Sequence, residues 1–479
     1  MKLNLLFKNA PDIEIEQLST DSRMPMNNAL FFCLDGIKYD GHKFVDEAIK
    51  NGAIAIIYSK DIDTSKKAIY IKVNDVNETL IKAADIFYNH PSEGINKYLV
   101  SGCYGRSTVS SFINYYLNIK DTCGYIGIFG INYNDKHLDI TFPALTPLEN
   151  IKILDTLKSN NIKNVVFESS VISLFYKKAN VIKPNVFVYT NTSKFCSDYR
   201  VCNNYYFENI RRYLYSLEDD TCVLFNRNDE SFEELHDSVN NYKTYGEDPK
   251  SDYIISDISL NLNSTSFKLT YLDKEYVVNT KLLAVSNVYN LTAAIASLNI
   301  MGNDIEDIVS TLNDFNYIEG VMERVSDEYN IIIDCGKEID NIKNSIEFAK
   351  SVTKGNIVCI VPINYSDSDV KLKQMIEYLE NNADKIILTE NETLQGEAMS
   401  ILSRCNKYIS TKKVIEIAYR SVAIENAINI LHEDDTLIIF GKGNEKFLDM
   451  SLGKERYLGD KFYTDKYINI RKDDENETI

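Results

Sequence analysis

Between residues 97 and 117 the chain reads Lys97-Tyr98-Leu99-Val100-Ser101, then Gly102-Cys103-Tyr104-Gly105-Arg106-Ser107-Thr108, then an apolar helical pattern over 109–117. A strand that stops at a glycine, turns at once and continues as a helix leaves the first N–H groups of that helix without intrahelical partners. This is the architecture that cradles phosphate at the end of a sheet. Such a unit needs neighbouring strands. Short apolar runs at 164–168, 185–190 and 222–226, separated by helix-length stretches, supply a mostly parallel sheet wound with helices. Alternating residues over 253–279 read as an antiparallel extension, and helical patterns at 288–301 and 306–315 close the unit.

The flanking sequence repeats the alternation on both sides. Before the glycine loop, strands at 29–34, 53–58 and 69–73 surround helical patterns at 44–51 and 78–88, a small α/β domain. After it, strands at 331–334, 357–361, 385–389 and 436–440 alternate with helices at 339–351, 370–381 and 421–431, a Rossmann-like doubly wound sheet. The expectation is an α/β protein of three domains, 1–91, 92–318 and 319–470, with a polar, disordered tail over 471–479. A length of 479 residues agrees with about three domains at roughly 100 to 200 residues each.

Composition removes whole classes of function. Fifty-two basic against seventy acidic residues leave a net charge of −18, the wrong sign for a nucleic-acid partner. An anionic ligand therefore needs a local cationic or N–H pocket. Apolar runs fall short of the ~20 residues of a membrane helix, so membrane insertion is not expected. The start, Met1-Lys2-Leu3-Asn4-Leu5-Leu6-Phe7-Lys8, has neither the apolar stretch nor the cleavage site of a signal peptide, which points to the cytoplasm. Nine cysteines without a C-x-x-C pair read as reduced thiols rather than a zinc site.

At the glycine loop, Gly102 and Gly105 let backbone N–H groups approach a triphosphate, Arg106 offers charge, and Ser107 or Thr108 stands where Mg²⁺ is reached. The plainer alternative is a tight strand-to-helix turn. A general Walker loop has four residues between its glycines and then lysine; this one has two and then arginine. The G-x-G at Gly441-Lys442-Gly443 lacks the third glycine of a dinucleotide site.

The shorter form G-x-x-G-K-[ST] belongs to one family, and from about residue 18 to 465 the chain resembles the Mur ligases, most closely the UDP-N-acetylmuramoyl-tripeptide synthetases of peptidoglycan (cell wall) biosynthesis. The resemblance rests on Asp21-Ser22-Arg23, Leu30-Phe31-Phe32, the run from Gly36 to Phe44, Ala48 to Ala53, and Tyr88-Asn89-His90-Pro91-Ser92. It continues through Thr146-Pro147, Glu168-Ser169-Ser170, Tyr189-Thr190-Asn191, Asn287-Val288-Tyr289-Asn290, Met322-Glu323, Arg420 and Gly441-Lys442-Gly443-Asn444-Glu445.

The resemblance implies an N-terminal UDP-binding domain, a central ATPase domain and a C-terminal Rossmann-like ligase domain that form an amide through an acyl phosphate. Carried over residue by residue, it assigns the nucleotide to Gly102, Gly105, Arg106, Ser107, Thr108, Asn287, Asn290 and Asp334. The UDP-sugar goes to Ser22, Arg23, Asp40, Gly41, His42, Thr146 and Ser170. The amino-acid side goes to Asn391, Gly441, Gly443 and Glu445, Mg²⁺ to Ser107 and Glu168, and the catalytic roles to Arg106 and Glu168. Singly, each has a local reading: Asn287 and Asn290 as a cap and a turn, His42 as a loop histidine bonded locally, Asp334 and Glu168 as strand ends.

The chain departs from the family where the chemistry sits. Arg106 replaces the loop lysine, Ile172 a histidine, and Phe195-Cys196 an Asp-His pair. The lysine that the family carbamylates aligns near Ile210, beside Arg211 and Arg212. Val321 replaces an arginine, Cys335-Gly336-Lys337 lacks a histidine, and Glu390-Asn391-Glu392-Thr393 lacks the arginine for an incoming carboxylate. The resemblance and its gaps together imply a degenerate homologue that binds UDP-N-acetylmuramoyl-peptide and adenine nucleotide and acts as a scaffold beside other cell-wall synthesis enzymes. The rival is an active ligase with ATP and Mg²⁺ as cofactors; a more remote one is an unrelated nucleotide-binding module.

Overall fold

The computed structural model describes residues 1–35, 39–139, 145–194, 205–316, 318–391, 398–450 and 453–477. The first sheet holds four parallel strands in sequence order, β1 (Gln17–Ser19), β2 (Ala29–Phe32), β3 (Ala53–Tyr58) and β4 (Ile69–Lys72). Alternation along β2 sends Leu30 and Phe32 to one face and Phe31 to the other. Leu30 and Phe32 pack with Leu80 and Ala84 of the helix Val76–Phe87, whereas Phe31 packs with Val45 and Ala48 of the helix Val45–Lys50.

The central sheet has eleven strands: β5 (Asn96–Ser101), β6 (Cys123–Gly127), β7 (Gly130–Tyr133), β8 (Lys136–Leu138), β9 (Asn164–Glu168), β10 (Val186–Tyr189), β11 (Cys222–Asn226), β12 (Tyr242–Gly246), β13 (Tyr253–Asn261), β14 (Ser264–Tyr271) and β15 (Lys274–Thr280). Their order is 15-14-13-12-11-10-5-9-6-7-8. The strand before the glycine loop, β5, is thus interior, with β10 and β9 parallel on either side. The chain goes from β5 towards β6 and β9 on one side and later to β10 and β11 on the other, which makes its carboxyl end the switch point where open α/β sheets bind ligands. The extension over β13 to β15 is antiparallel, as the alternation predicts. The strands β7 and β8 form an antiparallel edge that sequence reading does not anticipate; β8 is exposed throughout and carries no apolar alternation to detect.

The helix after the loop, Arg106–Lys120, buries Val109, Phe112, Ile113, Tyr116 and Leu117, an i, i+3, i+4, i+7, i+8 stripe. These pack against Val288, Leu291, Ala294 and Ile295 of the helix Val285–Ile300.

The third sheet contains β16 (Glu323–Arg324), β17 (Asn330–Asp334), β18 (Ile357–Ile363), β19 (Lys385–Glu390), β20 (Val414–Glu416) and β21 (Thr436–Phe440), in the order 16-17-21-18-19-20. All its pairings are parallel except that of β16 with β17. The helix Asp460–Glu477 runs into the segment from 471 that composition reads as a polar tail. Tertiary contacts hold its early part: Tyr467 and Ile468 pack on Ala423 and Ile424, and Arg471 Nη1 donates to the carbonyls of Ile428 and Leu431 at 2.6 and 2.8 Å. Among the described residues no helix is long and apolar enough to cross a membrane.

Candidate active site

The glycine loop is shaped by its neighbours. Gly102 has φ +129°, and a Cβ there would lie 2.2 Å from Thr190 Oγ1; Gly105 has φ +80°, and a Cβ there would lie 2.0 Å from Asn290 Oδ1. Both positions therefore exclude a side chain on conformation and on space. Between them Asn191 clamps one residue from both sides: its Oδ1 accepts from Tyr104 N at 2.9 Å and its Nδ2 donates to Tyr104 O at 3.1 Å. Thr190 Oγ1 donates to the same carbonyl at 2.7 Å. The first intrahelical bond is Val109 N to Gly105 O at 3.0 Å, so the N–H groups of Arg106, Ser107 and Thr108 face outward from the helix start, as a phosphate cradle requires.

Arg106 is anchored to its own loop, which sequence reading does not reveal. Its Nη1 donates to the carbonyls of Gly102, in a short contact, and of Cys103 at 3.1 Å, so the side chain folds back across its own loop. Glu168, at the end of β9, is held by two hydroxyl groups: Tyr125 Oη donates to Oε1 in a short contact, and Ser107 Oγ donates to Oε2 at 3.1 Å. Burial raises the Glu168 pKa above the ordinary value, against the Tyr125 bond, the nearby Arg106 charge and the Ser107 bond. Room for this pair comes from Gly127, where a Cβ would lie 2.4 Å from Tyr125 Oη and 2.8 Å from Glu168 Cδ. Tyr125 is the residue here that sequence reading missed. Its signal was the aromatic in Gly124-Tyr125-Ile126-Gly127, which a strand accounts for without any site.

Asn287 and Asn290 are buried and joined, Nδ2 of Asn290 donating to Oδ1 of Asn287 at 3.1 Å, while Asn287 Nδ2 donates to Leu283 O at 2.8 Å. Thus Gly102, Gly105, Arg106, Ser107, Thr108, Glu168 and Asn290 converge at one place. Asp334, at the end of β17, accepts from Ser345 Oγ at 2.8 Å, and burial raises its pKa despite that bond. The third domain meets the loop's surroundings through Ser193, which accepts from Tyr104 Oη at 3.3 Å and donates to Asp340 in a short contact.

The remaining candidates lie apart and are bonded locally. His42 Nδ1 contacts Asp40 Oδ1 at 2.6 Å, and the N–H groups of Ser59 and Lys60 donate to its Nε2 at 3.0 and 3.3 Å, so both ring nitrogens are engaged within the domain. Burial opposes ionisation of Asp40, but Lys60 and His42 together hold its carboxyl well below the usual range. Ser22 donates to Glu47 at 2.5 Å, and the exposed Arg23 forks onto Asp21 at 2.9 and 2.7 Å. Gly41 follows Asp40 and donates its N–H to Leu34 O at 2.8 Å.

Thr146 and Ser170 cap the helices Pro147–Ser159 and Val171–Phe175. Asn391 is buried and donates to Asn364 Oδ1 at 2.9 Å. Gly441 and Gly443 have φ +111° and +57°, and a Cβ at Gly443 would lie 2.7 Å from Cys335 Cβ. Glu445 accepts from Lys337 and Lys442 at 2.9 and 3.0 Å.

The departures also have positions. Ile172 is half-buried against the large cluster of the first two domains, and Ile210 is fully buried within it. Phe195-Cys196 and Thr393 lie outside the described residues.

Three family models match in succession: the catalytic domain of the Mur ligase family over residues 14–88, the Mur ligase middle domain over 100–298, and the Mur ligase glutamate ligase domain over 321–443. The chain is similar to UDP-N-acetylmuramoyl-L-alanyl-D-glutamate–2,6-diaminopimelate ligase 2 of Clostridium acetobutylicum, at 28% identity over 458 residues, covering 92% of this chain and 93% of that one. The corresponding ligase of Clostridioides difficile is 26% identical over 460 residues, covering 92% of each. Among solved structures, a UDP-N-acetylmuramoyl-L-alanyl-D-glutamate–2,6-diaminopimelate ligase shares the fold with a TM-score of 0.73 at 19% identity, covering 98% and 99% of the two chains. The MurF ligase of Thermotoga maritima in complex with ADP gives 0.62 at 15% identity, covering 94% and 96%.

Proposed function

Because the chain belongs to the Mur ligase family, we propose that it serves peptidoglycan-precursor synthesis by holding a UDP-N-acetylmuramoyl-peptide and an adenine nucleotide, with ligase turnover near background. The precursor is supported by the names of the relatives, which match over nine-tenths of the chain. The nucleotide is supported by the glycine loop and its outward N–H groups, together with the ADP complex of a ligase that shares the fold.

One observation carries the reading of weak turnover: Arg106, in place of the family's lysine, is bonded to the carbonyls of Gly102 and Cys103 across the loop. Phosphoryl transfer needs positive charge placed where charge develops in the transition state, and removing one such preorganised donor typically costs about a hundredfold or more in rate. Arginine is a planar fork and does not act as lysine's compact charge. The apolar side chains of Ile172 and Ile210, packed against and within the large cluster of the first two domains, add to that loss.

The second reading, an active ligase, is favoured by end-to-end similarity to proteins named as ligases. Phosphate release with ATP, Mg²⁺, UDP-N-acetylmuramoyl-dipeptide and a panel of amino acids separates the two. We expect no release above a buffer blank; robust turnover with any amino acid establishes the active ligase instead. Precursor binding is tested separately by calorimetric titration, where saturable heat weakened by Arg23→Ala is expected. Absence of heat and of thermal stabilisation at millimolar ligand refutes it.

A further inference from the structure

The groups around Glu168 bear on what neutralises a bound nucleotide. Each of its carboxylate oxygens already accepts a hydrogen bond from a hydroxyl group, Oε1 from Tyr125 and Oε2 from Ser107. A divalent cation here would have to displace the phenol or share an oxygen with it. Mg²⁺ demands near-ideal octahedral oxygen geometry and gives up its waters reluctantly. The carboxylate charge is also offset locally, because the guanidinium of Arg106 lies across the same loop and close enough to act on it.

These residues do not fit a resident Mg²⁺; they fit a carboxylate that anchors a loop. We infer that Arg106 is the chain's substitute for the divalent cation, so that adenine nucleotide binds at Gly102–Thr108 without dependence on Mg²⁺, and that Tyr125 is the positioning residue that keeps Glu168 from a metal. The loop carbonyls engage only Nη1 of Arg106, which leaves the Nε and Nη2 donors for phosphate oxygens, the pairing that guanidinium geometry suits best. Gly127 is part of the device, since any side chain there would collide with the Tyr125–Glu168 pair.

This inference rests on the nucleotide reading above and not on the precursor reading. The full chain is titrated calorimetrically with ADP and with a non-hydrolysable ATP analogue, once in millimolar Mg²⁺ and once in excess EDTA. Dissociation constants are expected to agree within about twofold between the two media. Arg106→Gln is expected to weaken binding about tenfold or more in both, the size expected for a lost charge-assisted hydrogen bond. Tyr125→Phe keeps the ring and frees one Glu168 oxygen, so its affinity should become several-fold tighter with Mg²⁺ than without.

A wild-type affinity that falls tenfold or more on chelation overturns the inference. Failure to bind nucleotide in either medium overturns it as well, whereas the precursor titration stands independently of that result. If Tyr125→Phe is as indifferent to Mg²⁺ as wild type, the positioning role of Tyr125 is refuted. Thermal unfolding of each variant, expected within a few degrees of wild type, excludes misfolding as the cause.

Discussion

Removing Asp460 should unfasten the third domain. Its carboxylate accepts two parallel bonds from Arg420, Nε to Oδ1 and Nη2 to Oδ2, each 2.7 Å, and a third from Tyr457 Oη at 2.7 Å. Arg420 also donates to Phe440 O at 2.6 Å, tying the pair to the end of β21. The two side chains are 2% and 0% exposed, so Asp460→Ala leaves a guanidinium buried without a counter-charge. Breaking such a pair from one side costs about 3 to 5 kcal/mol. At roughly 1.4 kcal/mol per decade, amides of β21 that open with the domain should exchange hydrogen about two to four orders of magnitude faster. The double variant Arg420→Met with Asp460→Leu should recover most of that loss, because the desolvation cost of both charges disappears with them. If exchange in Asp460→Ala rises less than about tenfold, the buried pair is not what holds Phe440, and the assignment of the cost to an orphaned charge is wrong.

Gly105→Ala should abolish nucleotide binding by calorimetry, since its Cβ would stand 2.0 Å from Asn290 Oδ1 at a φ of +80°. Asn191→Ala removes the two bonds to Tyr104, about 0.5 to 1.5 kcal/mol each, and should raise amide exchange across residues 102–106 by about tenfold with β5 unchanged. The Asp40 carboxyl is held below its ordinary 3.8, so the stability it contributes is whole above that value and is lost as pH falls through the lower folded one. Thermal midpoints of the first domain should therefore fall more steeply below about pH 4 in wild type than in Asp40→Asn, and superimposable acid limbs would contradict this.

Strands of all three sheets are legible in sequence because each is a short run of buried β-branched or aromatic residues: 53–58, 164–168, 222–226 and 436–440 appear in the structure at the bounds their apolar patterns predict. The loop is legible as well, since Gly102 and Gly105 are required by backbone conformation, and conformation is a property of the residue itself. What sequence cannot decide is where a side chain points once several elements meet. Arg106 reads as a charge offered to phosphate, but only the fold shows that one end of it, Nη1, is anchored on Gly102 and Cys103. Tyr125 reads as an ordinary strand aromatic, and only the parallel pairing of β6 with β9 brings it to Glu168. Arg420 is visible as a family residue, but Asp460 lies 40 positions away and becomes its partner only when the last helix packs. Those packing contacts also anchor the helix where it runs into the polar segment from 471, through burial of Tyr467 and Ile468 and two carbonyls met by Arg471, partners that composition along the chain does not reveal.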